Sequence, residues 1–132
     1  MKVAVGVITD ADNRVLVTQR PLHVTHGGLW EFPGGKLNAH ETAEHALARE
    51  LKEELGILIT EYEWLGELEH TYPTFSVNLI VFQVRQWLGT PSCLEGQLNM
   101  QWMLPQEINS EHFPAANKGI LDLIWTFHTT EV

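Results

Sequence analysis

Glu50, Glu53 and Glu54 stand three and four residues apart in Arg49-Glu50-Leu51-Lys52-Glu53-Glu54-Leu55-Gly56-Ile57. On one helix that spacing puts all three carboxylates on a single face. Like charges so placed repel, and a shared cation relieves them. Carboxylate oxygens are the preferred ligands of hard divalent metals, so metal binding is the chemistry this face suits. Upstream, Gly35 precedes Glu41 by five intervening residues, and seven more separate Glu41 from Arg49.

The elements that must hold these groups are legible nearby. Thr42–Leu55 has no Gly or Pro and is rich in Ala, Leu, Glu and Lys, which predicts a helix. Gly56 is suited to close it in the left-handed conformation. Leu47, Leu51 and Leu55 form an apolar stripe about a quarter-turn from the carboxylates, so one side packs on a sheet while the other faces a cleft. Arg49 projects about 100° from Glu50 and has two options, pairing with Glu53 or reaching around to orient Glu50. Glu44 suits the positive end of the helix dipole. Phe32-Pro33-Gly34-Gly35 reads as a turn where backbone approaches a ligand closely.

Elsewhere, Lys2–Ile8 and Arg14–Gln19 read as strands of a hairpin joined by Thr9–Asn13, and Pro21–Gly28 as a loop. Tyr62–Tyr72, Phe75–Trp87 and Gln101–Leu104 are further strand candidates. Ala115–His128 reads as a second helix with Ile120, Leu121, Leu123, Ile124 and Phe127 on its apolar face. These elements predict one α/β (α+β) domain over residues 1–132, a mixed β-sheet with two principal helices packed against it.

Composition narrows the function classes. The net charge is −9, and nine of the seventeen acids fall between Glu41 and Glu69, which opposes tracking a nucleic-acid polymer. No segment has the length of a membrane span, and the N-terminus reads as a strand rather than a signal peptide. A single cysteine, Cys93, excludes an internal disulfide and fits a reducing, cytoplasmic setting. The seven histidines (23, 26, 40, 45, 70, 112, 128) lack metal-ligand spacing and read as structural or surface residues. The five tryptophans read as core and rim.

The segment Gly35–Ile57 resembles the Nudix box and matches that family's pattern at every defined position. Seven fixed identities and two aliphatic positions coincide by chance on the order of once in a billion registers. The resemblance implies an α/β/α sandwich and metal-assisted hydrolysis of a pyrophosphate link. That reaction needs phosphate charge neutralised, a water positioned and its proton removed; magnesium serves the first two needs and a carboxylate the third. By resemblance Gly35, Glu50, Glu53 and Glu54 hold Mg2+, with Mn2+ as the alternative. Glu50, Arg49 and Glu53 form the catalytic set, Glu50 being the candidate general base. Glu95, a surface acid by sequence alone, becomes by resemblance a metal ligand with base catalysis as its second possible role. Glu41 is expected to support the loop or an outer metal.

Beyond the box the chain looks most like the MutT branch, the 8-oxo-dGTP diphosphatases. The similar pieces are Ala4-Val5-Gly6, Thr18-Gln19-Arg20, Glu31-Phe32-Pro33-Gly34-Gly35-Lys36, Glu95-Gly96-Gln97 and Phe113-Pro114-Ala115-Ala116-Asn117. The resemblance implies that Asn117 reads the purine. Its amide can accept from the N7–H that the 8-oxo lesion creates while donating to O6. Ordinary guanine leaves that oxygen unpaired, at a cost of about 1–3 kcal/mol. A cap or first-turn role after Pro114 is the structural alternative for Asn117. Arg20 is a candidate for phosphate or the far base edge, or else a surface charge; Phe32 for the base pocket, or else packing. Phe75 stands where MutT proteins can carry an arginine, so an apolar contact replaces a polar one, and Trp30 is expected beside the pocket. The implied activity is that of a monomeric nucleoside triphosphate pyrophosphohydrolase acting on a small nucleotide. Alternatives are CTP-type or ADP-ribose substrates, or a non-catalytic nucleotide sensor.

Overall fold

In the computed structural model the chain is described from Met1 to Thr130, and its side chains to Thr126. Among the described residues seven strands and two α-helices follow in order: β1 (Lys2–Ile8), β2 (Val15–Gln19), β3 (Trp30–Glu31), β4 (Gly34–Lys36), α1 (Ala43–Leu55), β5 (Leu58–Thr71), β6 (Ser76–Leu88), β7 (Asn99–Met103) and α2 (Ala115–Thr130). A four-stranded sheet has the order β4-β1-β6-β5, and a three-stranded sheet the order β3-β2-β7.

Alternation within β1 and β6 explains the layers. Ala4 and Ile8 of β1, with Ile80, Phe82 and Val84 of β6, join Leu47, Leu51 and Leu55 of α1 in one core. Val5 and Val7, with Val77, Leu79 and Val81, face the opposite way onto Ile120 and Ile124 of α2. A strand apolar on both faces belongs inside a sheet covered on both sides. The expected sandwich is therefore present, with α1 and α2 on opposite faces of a mixed sheet. Leu121 and Leu123 are partly buried on the α2 side as expected, while Phe127 and His128 lie outside the residues whose side chains are described.

Two local expectations are corrected. β1 and β2 do follow one another through a tight turn, in which the Asp10 carboxylate accepts from the Asp12 and Arg14 N–H groups at 2.9 Å. They do not form a ladder, however. Only an isolated bridge, Thr9 to Val15, links them, because β1 pairs in parallel with β6 and antiparallel with β4 while β2 pairs with β3 and β7. Both edges of β1 are already filled by β6 and β4, so β2, itself buried, pairs within the second sheet instead. The second correction concerns Gly34 and Gly35, which are strand residues opposite Val5 and Ala4 rather than parts of a free turn.

Candidate active site

Helix α1 is set in place at both ends. The Thr42 hydroxyl accepts from the His45 N–H at 3.1 Å, and Gly56 ends the helix at φ 74° with its N–H on the Lys52 carbonyl. Leu47, Leu51 and Leu55 are fully buried, which fixes the roll of the helix and turns the carboxylates toward β4. The Glu54 Oε2 atom accepts from the Gly34 N–H at 3.0 Å. A Cβ built on Gly35 would lie 2.3 Å from the Glu50 carboxyl carbon, so only glycine lets that carboxyl lie against the strand.

Arg49 takes both routes open to it and adds a third. Its Nη1 donates to Glu50 Oε1 at 2.8 Å and to Glu53 Oε2 at 3.4 Å. Its Nε and Nη2 grip the two Glu41 oxygens at 2.8 and 2.9 Å, and Nη2 also donates to the Lys36 carbonyl. Glu41 in turn accepts from the Asn38 N–H at 2.9 Å, so it supports the loop as expected. The Arg49 guanidinium and the Asn38 N–H hold the Glu41 carboxyl down to about 2.

The loop after β6 brings a further acid. Ser92 N–H donates to the Leu55 carbonyl, while Leu94 N–H and Gln97 Nε2 both donate to the Glu54 carbonyl at 3.0 Å. Glu95 is thereby docked at the end of α1, close enough for its charge to act on both Glu50 and Glu54. Burial, then the charge of Glu31, push the Glu54 carboxyl up to about 9, with Glu50 and Glu95 adding to the rise. Glu50 is raised as well, chiefly by burial and against the pull of Arg49.

Beside this cluster opens a cleft of about 620 Å³, and Gly34, Gly35, Glu54 and Glu31 belong to its lining. Glu54 thus joins the carboxylate cluster to the cleft. Arg20, Phe75 and Asn117 line it too, as do Tyr72 and His26. Arg20 is not a free surface charge: Nη1 pairs with Glu31 at 2.8 Å and Nε donates to the Thr25 carbonyl. Among the described residues the Asn117 side-chain amide has no hydrogen-bond partner. Its place in the first turn of α2 is therefore real, but it does no capping there.

A NUDIX domain model matches residues 4–123. The chain belongs to the NUDIX domain family. It is 35% identical to the 8-oxo-dGTP diphosphatase of Escherichia coli over 121 residues, 92% of this chain and 93% of that one. It is 36% identical to the CTP pyrophosphohydrolase of the same organism over 103 residues, 78% of this chain and 76% of that one. A MutT structure described for Aliivibrio salmonicida and Vibrio cholerae superposes with a TM-score of 0.77 at 31% identity, covering 94% of this chain and 97% of that one.

The NUDIX motif implies dependence on a divalent cation, and the donors present here fit one. They are hard oxygen atoms, and Glu54 is a half-buried acid pressed by three other carboxyls, whose charge a cation would balance in place of a proton. Among the described residues no three His, Cys, Asp or Glu side chains already meet at a metal-sized position. Arg49 holds Glu50 and Glu53, and the Gly34 N–H holds Glu54.

Two expected residues of the NUDIX pocket stand elsewhere. Phe32 is buried and stacks on Phe113 at 5.5 Å; β3 and β4 turn it into the second core, so it supports the wall from behind. Trp30 packs on the same core and is absent from the lining. Conversely nothing in the sequence points to Glu31, Tyr72 or His26 as parts of the cleft wall. Tyr72 flanks Pro73 and Glu31 flanks Phe32, but no spacing marks either, and His26 meets the cleft from a loop where its φ is 58°.

Proposed function

We propose that this NUDIX domain is a Mg2+-dependent nucleoside triphosphate pyrophosphohydrolase whose preferred substrate is 8-oxo-dGTP, released as 8-oxo-dGMP and pyrophosphate. The observation that carries the reading is an Asn117 amide, without a partner among the described residues, on the wall of a cleft that also holds Glu54 of the carboxylate cluster. Its acceptor and donors suit the N7–H and O6 of the oxidised purine. The relative at 35% identity is an 8-oxo-dGTP diphosphatase, which supports the same substrate class.

In this reading Gly35, Glu50, Glu53, Glu54 and Glu95 hold the metal, with Mn2+ able to replace Mg2+. Bound metal supplies charge neutralisation on the phosphates and a lower pKa for an attached water. Glu50 takes the proton from a water directed at the β-phosphorus, Glu95 being the other candidate base. Arg49 keeps Glu50 and Glu53 oriented for their parts. Arg20, Phe75 and Asn117 hold the nucleotide, and Phe75 offers a ring face where an arginine would have offered a charge. The protein acts as a monomer in the cytoplasm, cleansing the nucleotide pool and so avoiding mutation.

The test is pyrophosphate release from 8-oxo-dGTP, dGTP, CTP and ADP-ribose side by side. Strong preference for 8-oxo-dGTP is expected; near-equal rates with dGTP would sink the sanitising role. The match to a CTP pyrophosphohydrolase favours a second reading, with the same centre acting on CTP. Against a non-catalytic sensor, Glu53→Gln is expected to lower turnover by about two to four orders of magnitude while nucleotide still binds.

A further inference from the structure

Helix α2 begins without a cap of its own. Pro114 precedes it and has no side-chain acceptor, yet the first backbone N–H groups of a helix lack intrahelical partners. The Asn117 N–H is met by the Pro114 carbonyl at 2.9 Å. The Ala116 N–H is met by the phenolic oxygen of Tyr72 at 3.0 Å, from 44 residues earlier in the chain.

Tyr72 is itself held firmly. Its N–H donates to the Phe75 carbonyl at 2.7 Å, closing the turn between β5 and β6. Its ring is packed by Phe75 at 4.9 Å, His70 at 4.5 Å and His26 at 5.3 Å. The hydroxyl therefore ties an aromatic turn to the backbone N–H of Ala116, the residue before Asn117. It also supplies the acceptor that Pro114, at the cap position, has no side chain to provide.

We propose that Tyr72 is a positioning residue for purine discrimination, its hydroxyl fixing the start of α2 so that the Asn117 amide is aimed into the cleft. This rests on the reading of Asn117 as the purine reader. A hydrogen bond pair to a base edge tolerates only small displacements, so a loosened helix start weakens the contact that separates 8-oxo-dGTP from dGTP.

Tyr72→Phe keeps the ring and removes only the hydroxyl. The ratio of kcat/KM for 8-oxo-dGTP over dGTP is expected to fall by about threefold to tenfold, the change appearing in KM for 8-oxo-dGTP. Added to Asn117→Ala, it should lower the ratio no further, because both act through one contact. Hydrogen exchange of the Ala116 amide should quicken. Equal losses on both substrates, or an unchanged ratio in Tyr72→Phe while Asn117→Ala loses it, overturns the positioning role alone. A wild-type ratio near one, or one that Asn117→Ala leaves intact, overturns the Asn117 reading and this role with it.

Discussion

Gly35 and Arg49 do the positioning at the finest scale. Gly35 is required by a neighbour rather than by its own backbone angles, since any Cβ there would collide with the Glu50 carboxyl. Gly35→Ala is expected to displace Glu50 and cut turnover by about tenfold to a hundredfold while leaving the folded protein intact, read as kcat beside a thermal melt. Arg49 spreads one guanidinium over Glu41, Glu50, Glu53 and the Lys36 carbonyl. A lysine keeps the charge but not the planar fork, so Arg49→Lys should lower kcat by about tenfold or more. A variant with wild-type kcat would remove Arg49 from the orienting role. The residues of the box and their pairing with Arg49 were thus legible in advance, but the grip of Arg49 on Glu41 and the Lys36 carbonyl was not. Its rotamer is set by Glu41, eight residues back, and by a carbonyl of β4.

At the scale of elements, Glu41 and Arg49 clamp the loop before α1 to the body of that helix. The Glu41 carboxyl falls from an ordinary 4.5 to about 2 in the folded protein. A depressed folded value means that its stabilising contribution is complete above about pH 4.5 and is lost as the pH falls toward about 2. Denaturant midpoints measured across that window should therefore drop more steeply in the wild type than in Glu41→Gln, and parallel slopes would dismiss the clamp. The helices themselves were readable because an apolar stripe and a terminal glycine are local signals. Strand partnership was not, as the separation of β1 from β2 illustrates: register depends on neighbours some seventy residues away, such as Asn78–Val84 against Lys2–Ile8.

For the molecule as a whole, a net charge of −9, with Glu50, Glu53, Glu54 and Glu95 brought together at α1, makes cation binding a stability matter as well as a catalytic one. Mg2+ at a hundred times its Kd should stabilise the fold by about 2.7 kcal/mol, seen as a rise in melting temperature that a chelator reverses. No rise would mean that the carboxylates do not hold metal in the free protein. No described helix is long and apolar enough to cross a membrane, in keeping with the composition. The sequence by itself determined the carboxylate cluster, because helical periodicity converts the spacing of Glu50, Glu53 and Glu54 directly into one face. It also determined the two-helix sandwich, since strand and helix periods are local. Only the tertiary structure decided the pocket. Glu31, Tyr72 and His26 come to Asn117 from separate segments, and Phe32 is turned away into the core. Those placements follow from how two sheets and α2 pack, a long-range outcome that no spacing along the chain encodes.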